Sequence, residues 1–188
     1  FKNNKTVLLL TGTINTSGVS FMERIDVQVR LNDYVRAIKK WILHYPDLKI
    51  VFVENSNHPS NELGTDILNH SNFEYLSYHG QKFSRDKGKG YGEISSFEYA
   101  FQNSKFLTNC KFVIKCNGRY FFKGINKFIE TDNYLVGDFR KNLTYFDSRV
   151  FGFNKDFFLD YFLSLKEDIN DSEKSYFEHV LARAVHKA

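Results

Sequence analysis

Two cysteines, two prolines, one methionine and one tryptophan are all that 188 residues hold of those four types. Two cysteines are too few for a disulfide framework, and Cys110 and Cys116 stand farther apart than the two-to-four spacing of a metal pair. Cys116 closes an apolar run, where a buried free thiol is the ordinary case, and a reducing cytoplasm is the simplest compartment. With so little proline, no Gly/Ser tract and no repeat, no internal boundary presents itself, and 1–188 reads as a single domain. No apolar run approaches the ~20 residues of a spanning helix. Phe1-Lys2-Asn3-Asn4-Lys5 leads into a short strand-like run rather than a secretory leader. The six histidines show no H-E-x-x-H spacing, and no Gly-x-Ser-x-Gly elbow occurs, which removes most support from zinc-enzyme and hydrolase readings. A large excess of one charge is also missing. With 26 Lys+Arg against 22 Asp+Glu, the net of +4 is too mild to argue for nucleic acid. It suits a compact anionic ligand, or peripheral contact with an anionic membrane surface.

What is present is apolar and aromatic: 42% hydrophobic residues, with 20 Phe and 11 Tyr, enough for a sizeable core. Most of the rings are expected in that core rather than on a sugar-stacking surface. Thr6-Val7-Leu8-Leu9-Leu10 and Lys49-Ile50-Val51-Phe52-Val53 read as strands buried on both faces. A weaker strand is expected over 73–78, a fourth strand over 111–115, and later strands over 134–136 and 148–153. From Asn32, a helical stripe of Tyr34, Val35, Ile38, Trp41 and Ile42 runs toward Pro46. Gly88 to Glu93 opens a second helix through Ile94, Phe97, Ala100 and Phe101. A last helix is expected from Asp171 or Ser172, with Tyr176, Phe177, Val180, Leu181, Ala184 and Val185 inward. This order predicts an α/β fold, a three-layer α/β/α sandwich on a mainly parallel sheet. Ligands of such sheets bind beyond the carboxyl ends of the strands. The polar segments 11–15, 54–56 and 116–120 all fall there.

Three constellations could carry chemistry. In the first, Gly88, Gly90 and Gly92 allow backbone N–H groups to approach a ligand, a helix start favours phosphate, and Lys82, Arg85, Lys87 and Lys89 add positive potential. The spacing matches neither the P-loop nor the dinucleotide fingerprint, and a flexible basic surface loop fits it equally well. The second is Lys115-Cys116-Asn117-Gly118-Arg119-Tyr120, where a strand ends in a cationic, amide-bearing turn and Arg119 could clamp a diphosphate. An ordinary turn with a surface ion pair fits as well. The third is the set of carboxylates Glu54, Asp86, Glu93, Asp138, Asp147 and Glu178. Asp147-Ser148-Arg149 leads straight into an apolar run, and Glu178 lies beside the stripe of the last helix. Either Asp147 or Glu178 could deprotonate a sugar hydroxyl.

At this point the order of parts resembles small bacterial GT-A-type glycosyltransferases of capsule and lipopolysaccharide (O-antigen) assembly. The residues that carry the likeness are Thr11-Gly12-Thr13-Ile14, Arg30-Leu31-Asn32-Asp33-Tyr34, Phe52-Val53-Glu54-Asn55-Ser56, Gly88-Lys89-Gly90-Tyr91-Gly92-Glu93, the 115–120 run and Asp147-Ser148-Arg149. The resemblance implies a GT-A-like nucleotide-sugar transferase, cytoplasmic or peripheral at the inner membrane face. It would use a nucleotide-sugar donor and a glycan or lipid-linked acceptor, with no nucleic-acid partner. The first loop (Thr11, Gly12, Thr13) with Glu54 and Asn55 would surround base and ribose. Lys89, Gly90, Gly92 and Glu93 would flank the donor, with Lys115, Asn117, Arg119 and Arg149 around it, and Asp147 or Glu178 would be the base. Cys116-Asn117-Gly118 would stand where the Asp-x-Asp motif normally holds Mg²⁺ or Mn²⁺. No metal ligands are therefore expected, and Lys115, Arg119, Lys87 and Lys89 would stabilise the leaving phosphate instead. The rivals are a sugar nucleotidyltransferase, which would need a basic loop after the first strand that 11–18 lacks, and a non-catalytic nucleotide- or glycan-binding module.

Overall fold

The computed structural model describes residues 5–17, 25–129, 131 and 133–188. The leader-free opening expected at Phe1 to Asn4, and Gly18 of the first loop, lie outside the described residues. In chain order the elements are β1 (Thr6–Gly12), α1 (Val27–His44), β2 (Lys49–Glu54), α2 (Thr65–Leu68), β3 (Phe73–Ser77), α3 (Gly88–Asn103), α4 (Lys105–Thr108) and β4 (Phe112–Asn117). There follow α5 (Asn126–Ile129), β5 (Leu135–Val136), β6 (Phe139–Arg140), β7 (Tyr145–Phe146), β8 (Val150–Asn154), α6 (Lys155–Phe157) and α7 (Phe177–Lys187). Short 3₁₀ and π turns fill 158–168 between α6 and α7.

Six strands form one sheet in the order β3-β2-β1-β4-β8-β5. The first four are parallel, while β8 runs antiparallel to both β4 and β5. Every residue from Val7 to Leu10 is buried, as a central parallel strand covered by helices on both faces requires. Their alternation separates two cores. Val7, Leu9, Val51, Val53 and Val113 face the layer of α3 and α7, where Phe97, Phe151, Phe153, Phe158, Phe162 and Phe177 interlock. Leu8, Leu10, Ile50, Phe52, Ile114 and Cys116 face α1, packing on Tyr34, Ile38 and Trp41. The expected α/β/α sandwich is the observed fold, and the aromatic excess is largely core.

Several boundaries differ from expectation for identifiable reasons. Helix α1 starts at Val27, capped by Asp26, whose carboxylate accepts from the Val29 N–H at 2.8 Å. The apolar stripe does not announce these first turns because Arg30, a cation, takes the buried position one turn before Tyr34. At the other end, Asp171 and Ser172 do not begin α7; they sit in a turn closed by the Asn170–Ser175 bridge. Asp171 caps a different helix, accepting the Lys89 N–H of α3 at 3.2 Å. The β6–β7 hairpin, with Lys141, Asn142 and Leu143 in left-handed conformations, has no glycine to signal its tip.

Candidate functional site

Chain order leaves β1 in opposite directions, to β2 and β3 on one side and to β4 on the other, so the carboxyl ends of β1 and β4 border a topological switch point. A cavity of about 290 Å³ opens there. It is lined by Thr11, Gly12, Thr13, Asn55, Lys89, Gly92, Glu93, Asn117 and Arg119, all expected at the site, and by Arg30, Tyr34, Gln81, Phe83 and Ser96, which were not.

Its floor is tightly built. A Cβ on Gly12 would come within 2.5 Å of the Phe52 ring and 2.8 Å of the Tyr34 ring, and one on Gly118 would meet the same rings at 3.1 Å. Glycine therefore stands at the end of β1 and just past the end of β4, so that Tyr34 can slide beneath the first loop. The Tyr34 hydroxyl accepts from the Thr13 N–H at 2.9 Å, and the Arg30 Nε donates to the Thr13 carbonyl at 2.7 Å. Burial pushes the Tyr34 phenol above its ordinary pKa, so it stays protonated. Thr13 Oγ1 donates to Asn55 Oδ1 at 2.7 Å, joining the loops after β1 and β2.

Glu54 is fully buried below this layer. Its Oε1 accepts from the Ile14 N–H at 2.8 Å, the Ser56 N–H at 2.9 Å and the Ser56 hydroxyl; Oε2 accepts from the His58 N–H at 2.9 Å and Ser77 Oγ at 3.2 Å. The expected ribose contact is thus seated as a bracket for the loops, and it does not line the cavity.

On the opposite wall, Asn117 Oδ1 accepts the Arg119 N–H at 3.1 Å, and the Gly118 N–H donates to the Thr11 carbonyl at 2.8 Å. This Asx turn aims Arg119 into the cavity. Its Nε is shielded from solvent and has no hydrogen-bond partner among the described residues, and the guanidinium lies 5.6 Å from the Tyr120 ring centre. A buried donor without a partner is costly, and an anion in the cavity would satisfy it.

The glycine run is helix rather than loop. Gly90 and Gly92 are buried in the first turns of α3: a Cβ on Gly90 would reach the Phe177 Cβ at 2.7 Å, and one on Gly92 the Phe83 ring at 3.0 Å. Gly90 therefore serves packing, and the Asp171 carboxylate already occupies the helix start expected to hold phosphate. Lys87 turns away to Glu167, at 3.1 Å. Lys115 is almost fully buried in β4, where its ammonium pairs with Glu93 Oε1 at 2.5 Å and also donates to the Ser148 carbonyl. It reaches the cavity only through Glu93, whose Oε1 also accepts from Thr11 Oγ1 at 3.1 Å. Leaving such an ammonium unpaired costs on the order of 3–5 kcal/mol.

The remaining expected residues gather beside the cavity without lining it. Arg149 lies next to the end of β4, its carbonyl accepting the Asn117 N–H at 3.2 Å. Its side chain grips Asp147 at 2.6 Å, and Arg140 holds the same carboxylate at 2.8 Å. Hydrogen bonding from Arg149 outweighs partial burial and lowers the Asp147 pKa, which makes it a weak proton acceptor. Glu178 Oε1 accepts from Ser148 Oγ at 2.6 Å.

Cys116 and Asn117 end β4 and Gly118 follows it, the cavity's one carboxylate among the described residues is paired with Lys115, and no three His, Cys, Asp or Glu side chains among the described residues group to hold a metal. Among the described residues no helix is long and apolar enough to cross a membrane.

Against known proteins, neither a protein-family model nor a curated protein matches the chain. Among solved structures it is similar to the mannosyltransferase Ktr4p from S. cerevisiae, determined by X-ray in complex with GDP, with a TM-score of 0.50 and 9% identity over 96% of this chain and 67% of that one. The likeness is one of fold. This chain shares the α/β fold of that mannosyltransferase, helices packed on a mainly parallel sheet. HddC from Yersinia pseudotuberculosis is also matched, at a TM-score of 0.36 and 14% identity over 94% of this chain and 83% of that one.

The residues that sequence reasoning missed share a cause. Arg30 and Tyr34 carried the resemblance without a site role, and Tyr34 also read as core; they are four apart on a helix and their spacing places them on one face, a signal that a cation beside an apolar stripe could have given. Gln81 and Phe83 lie in a segment with no pattern, and Ser96 lies in the middle of a helix.

Proposed function

We propose that this protein is a glycosyltransferase that moves a sugar from a nucleoside-diphosphate donor to a glycan or lipid-linked acceptor, in bacterial surface polysaccharide assembly. The observation that carries the reading is the Arg119 guanidinium at the switch-point cavity, with its partnerless, shielded Nε, on the turn that the Asn117 side chain holds. A diphosphate is the compact anion that such a fork binds in two-pronged fashion. Arg119, with Lys89 at the cavity wall, supplies the positive charge that a metal supplies in relatives with the Asp-x-Asp motif, so the transfer is metal-independent. Thr13 and Asn55, joined across the two loops, are placed to meet the nucleoside. The fold shared with a GDP-bound mannosyltransferase supports the donor class. The acceptor class rests on the sequence resemblance alone.

The test is turnover of a panel of UDP-, GDP-, CDP-, dTDP- and CMP-sugars in EDTA, followed as release of free nucleotide with and without short glycan acceptors. Release from one donor in EDTA is expected. Nucleotide binding without any release would make the chain a binding module, and release only with Mn²⁺ would overturn the role given to Arg119.

A further inference from the structure

Among the described residues, fourteen side chains or backbone positions line the cavity, and one of them is a carboxylate: Glu93. Its two oxygens are treated unequally. Oε1 takes both the Lys115 ammonium at 2.5 Å and the Thr11 hydroxyl at 3.1 Å, whereas Oε2 carries no hydrogen bond or ion pair among the described residues. The Glu93 side chain keeps 24% of its surface exposed, while Lys115 keeps 2%. Lys115 is itself fixed, being in a central strand, bonded to the Ser148 carbonyl and lying 5.9 Å from the Phe151 ring centre. One oxygen is thus clamped by the buried Lys115 ammonium, and the other, on a side chain that lines the cavity, has no partner among the described residues. That is how a positioned base is built: orientation is fixed through the atom that does not react.

Resting on the transferase reading above, we propose that Glu93 is the proton acceptor of the transfer and Lys115 its positioning residue. The acceptor hydroxyl gives its proton to Glu93 Oε2 as its oxygen attacks the anomeric carbon. The bond from that carbon to the β-phosphate oxygen breaks, and the nucleoside diphosphate leaves with the electron pair toward Arg119. Attack opposite the leaving group inverts the anomeric configuration. The role passes to Glu93 from Asp147 and Glu178 because Glu93 lines the cavity and neither of them does.

The test compares the wild type with Glu93→Gln and with Glu93→Gln combined with Lys115→Met. The double variant removes both charges, so no buried ammonium is left unpaired. Affinity for the nucleoside diphosphate is measured by calorimetry, and transfer is measured across pH 5 to 9. Nucleotide affinity within about threefold of the wild type, at least a hundredfold loss of kcat in both variants, and disappearance of the acidic limb of the pH profile are expected. Wild-type transfer with variants retaining kcat within tenfold would overturn this assignment and leave the transferase intact. Loss of nucleotide affinity in parallel with kcat would make Glu93 a donor-binding group and also overturn it. Absence of wild-type turnover with every donor would remove the transferase reading, and this proposal with it.

Discussion

At the scale of single residues, the polar groups sort by which side of the floor they stand on. Glu54 and Lys115 read equally well as ligand groups in the sequence, yet Glu54 spends both oxygens on loop amides and hydroxyls and Lys115 acts through Glu93. Asp147 illustrates the electrostatics. Its folded-state pKa is depressed, so the stability it contributes is present above the unfolded carboxylate pKa and is lost as pH falls through the folded value. Asp147→Asn should therefore lower the melting temperature near pH 7, and the difference from wild type should close as pH falls through the folded Asp147 value. The effect should be small, since Arg140 and Arg149 are half-exposed or more. A thermal melt series against pH measures it, and a difference that grows toward acid would contradict the ion-pair account. The thiols give a second prediction. Burial pushes Cys110 up to about 11 and Cys116 up to about 12, so neither forms thiolate at pH 8 in the folded protein. Titration with a thiol-specific disulfide reagent should count no reactive cysteine in the native protein and two after denaturation. Rapid native labelling at Cys116 would mean that the sheet opens at β4.

At the scale of elements, the glycines of α3 decide between two accounts of one motif. If Gly90 served ligand approach, alanine there would gain helix propensity, worth up to about 1 kcal/mol, and lose nucleotide affinity. The packing against Phe177 predicts the reverse: Gly90→Ala should destabilise by about 1–3 kcal/mol because a Cβ 2.7 Å from Phe177 must push α3 off α7. Chemical denaturation separates the two, and a more stable variant would sink the packing account. What was legible in the sequence follows the same line. The buried parallel strands β1, β2 and β4 were plain because covering on both faces demands continuous apolar runs. Their polar ends marked the site because a strand in the middle of such a sheet can end only in a loop at the crevice. The start of α1 was hidden by buried Arg30, and the start of α7 by Asp171, a genuine capping residue that serves the neighbouring helix. Local sequence carries no sign of which helix an Asp will cap once the chain has folded back.

At the scale of the whole molecule, four parallel strands and the reversal of chain direction beside β1 create the crevice, and three tertiary pairings furnish it. Thr13 with Asn55, Thr11 with Glu93, and Gly118 with the Thr11 backbone draw together residues from four separate segments of the chain. Cation placement at the crevice is economical. Lys87 and Lys115 are committed to carboxylates, whereas the Arg119 guanidinium at the cavity carries a shielded Nε with no hydrogen-bond partner among the described residues. An anion that binds only the folded state should raise stability by about 2.7 kcal/mol at a hundred times its dissociation constant.

The most direct test of the central claim is therefore calorimetric titration of UDP and GDP, in EDTA, into the wild type and into Arg119→Ala. The account predicts saturable binding of one of them to the wild type without metal, and a loss of affinity of about tenfold to a hundredfold in Arg119→Ala, the equivalent of a charge-assisted hydrogen bond. Binding that requires Mn²⁺, or that is unchanged when Arg119 is removed, would contradict it.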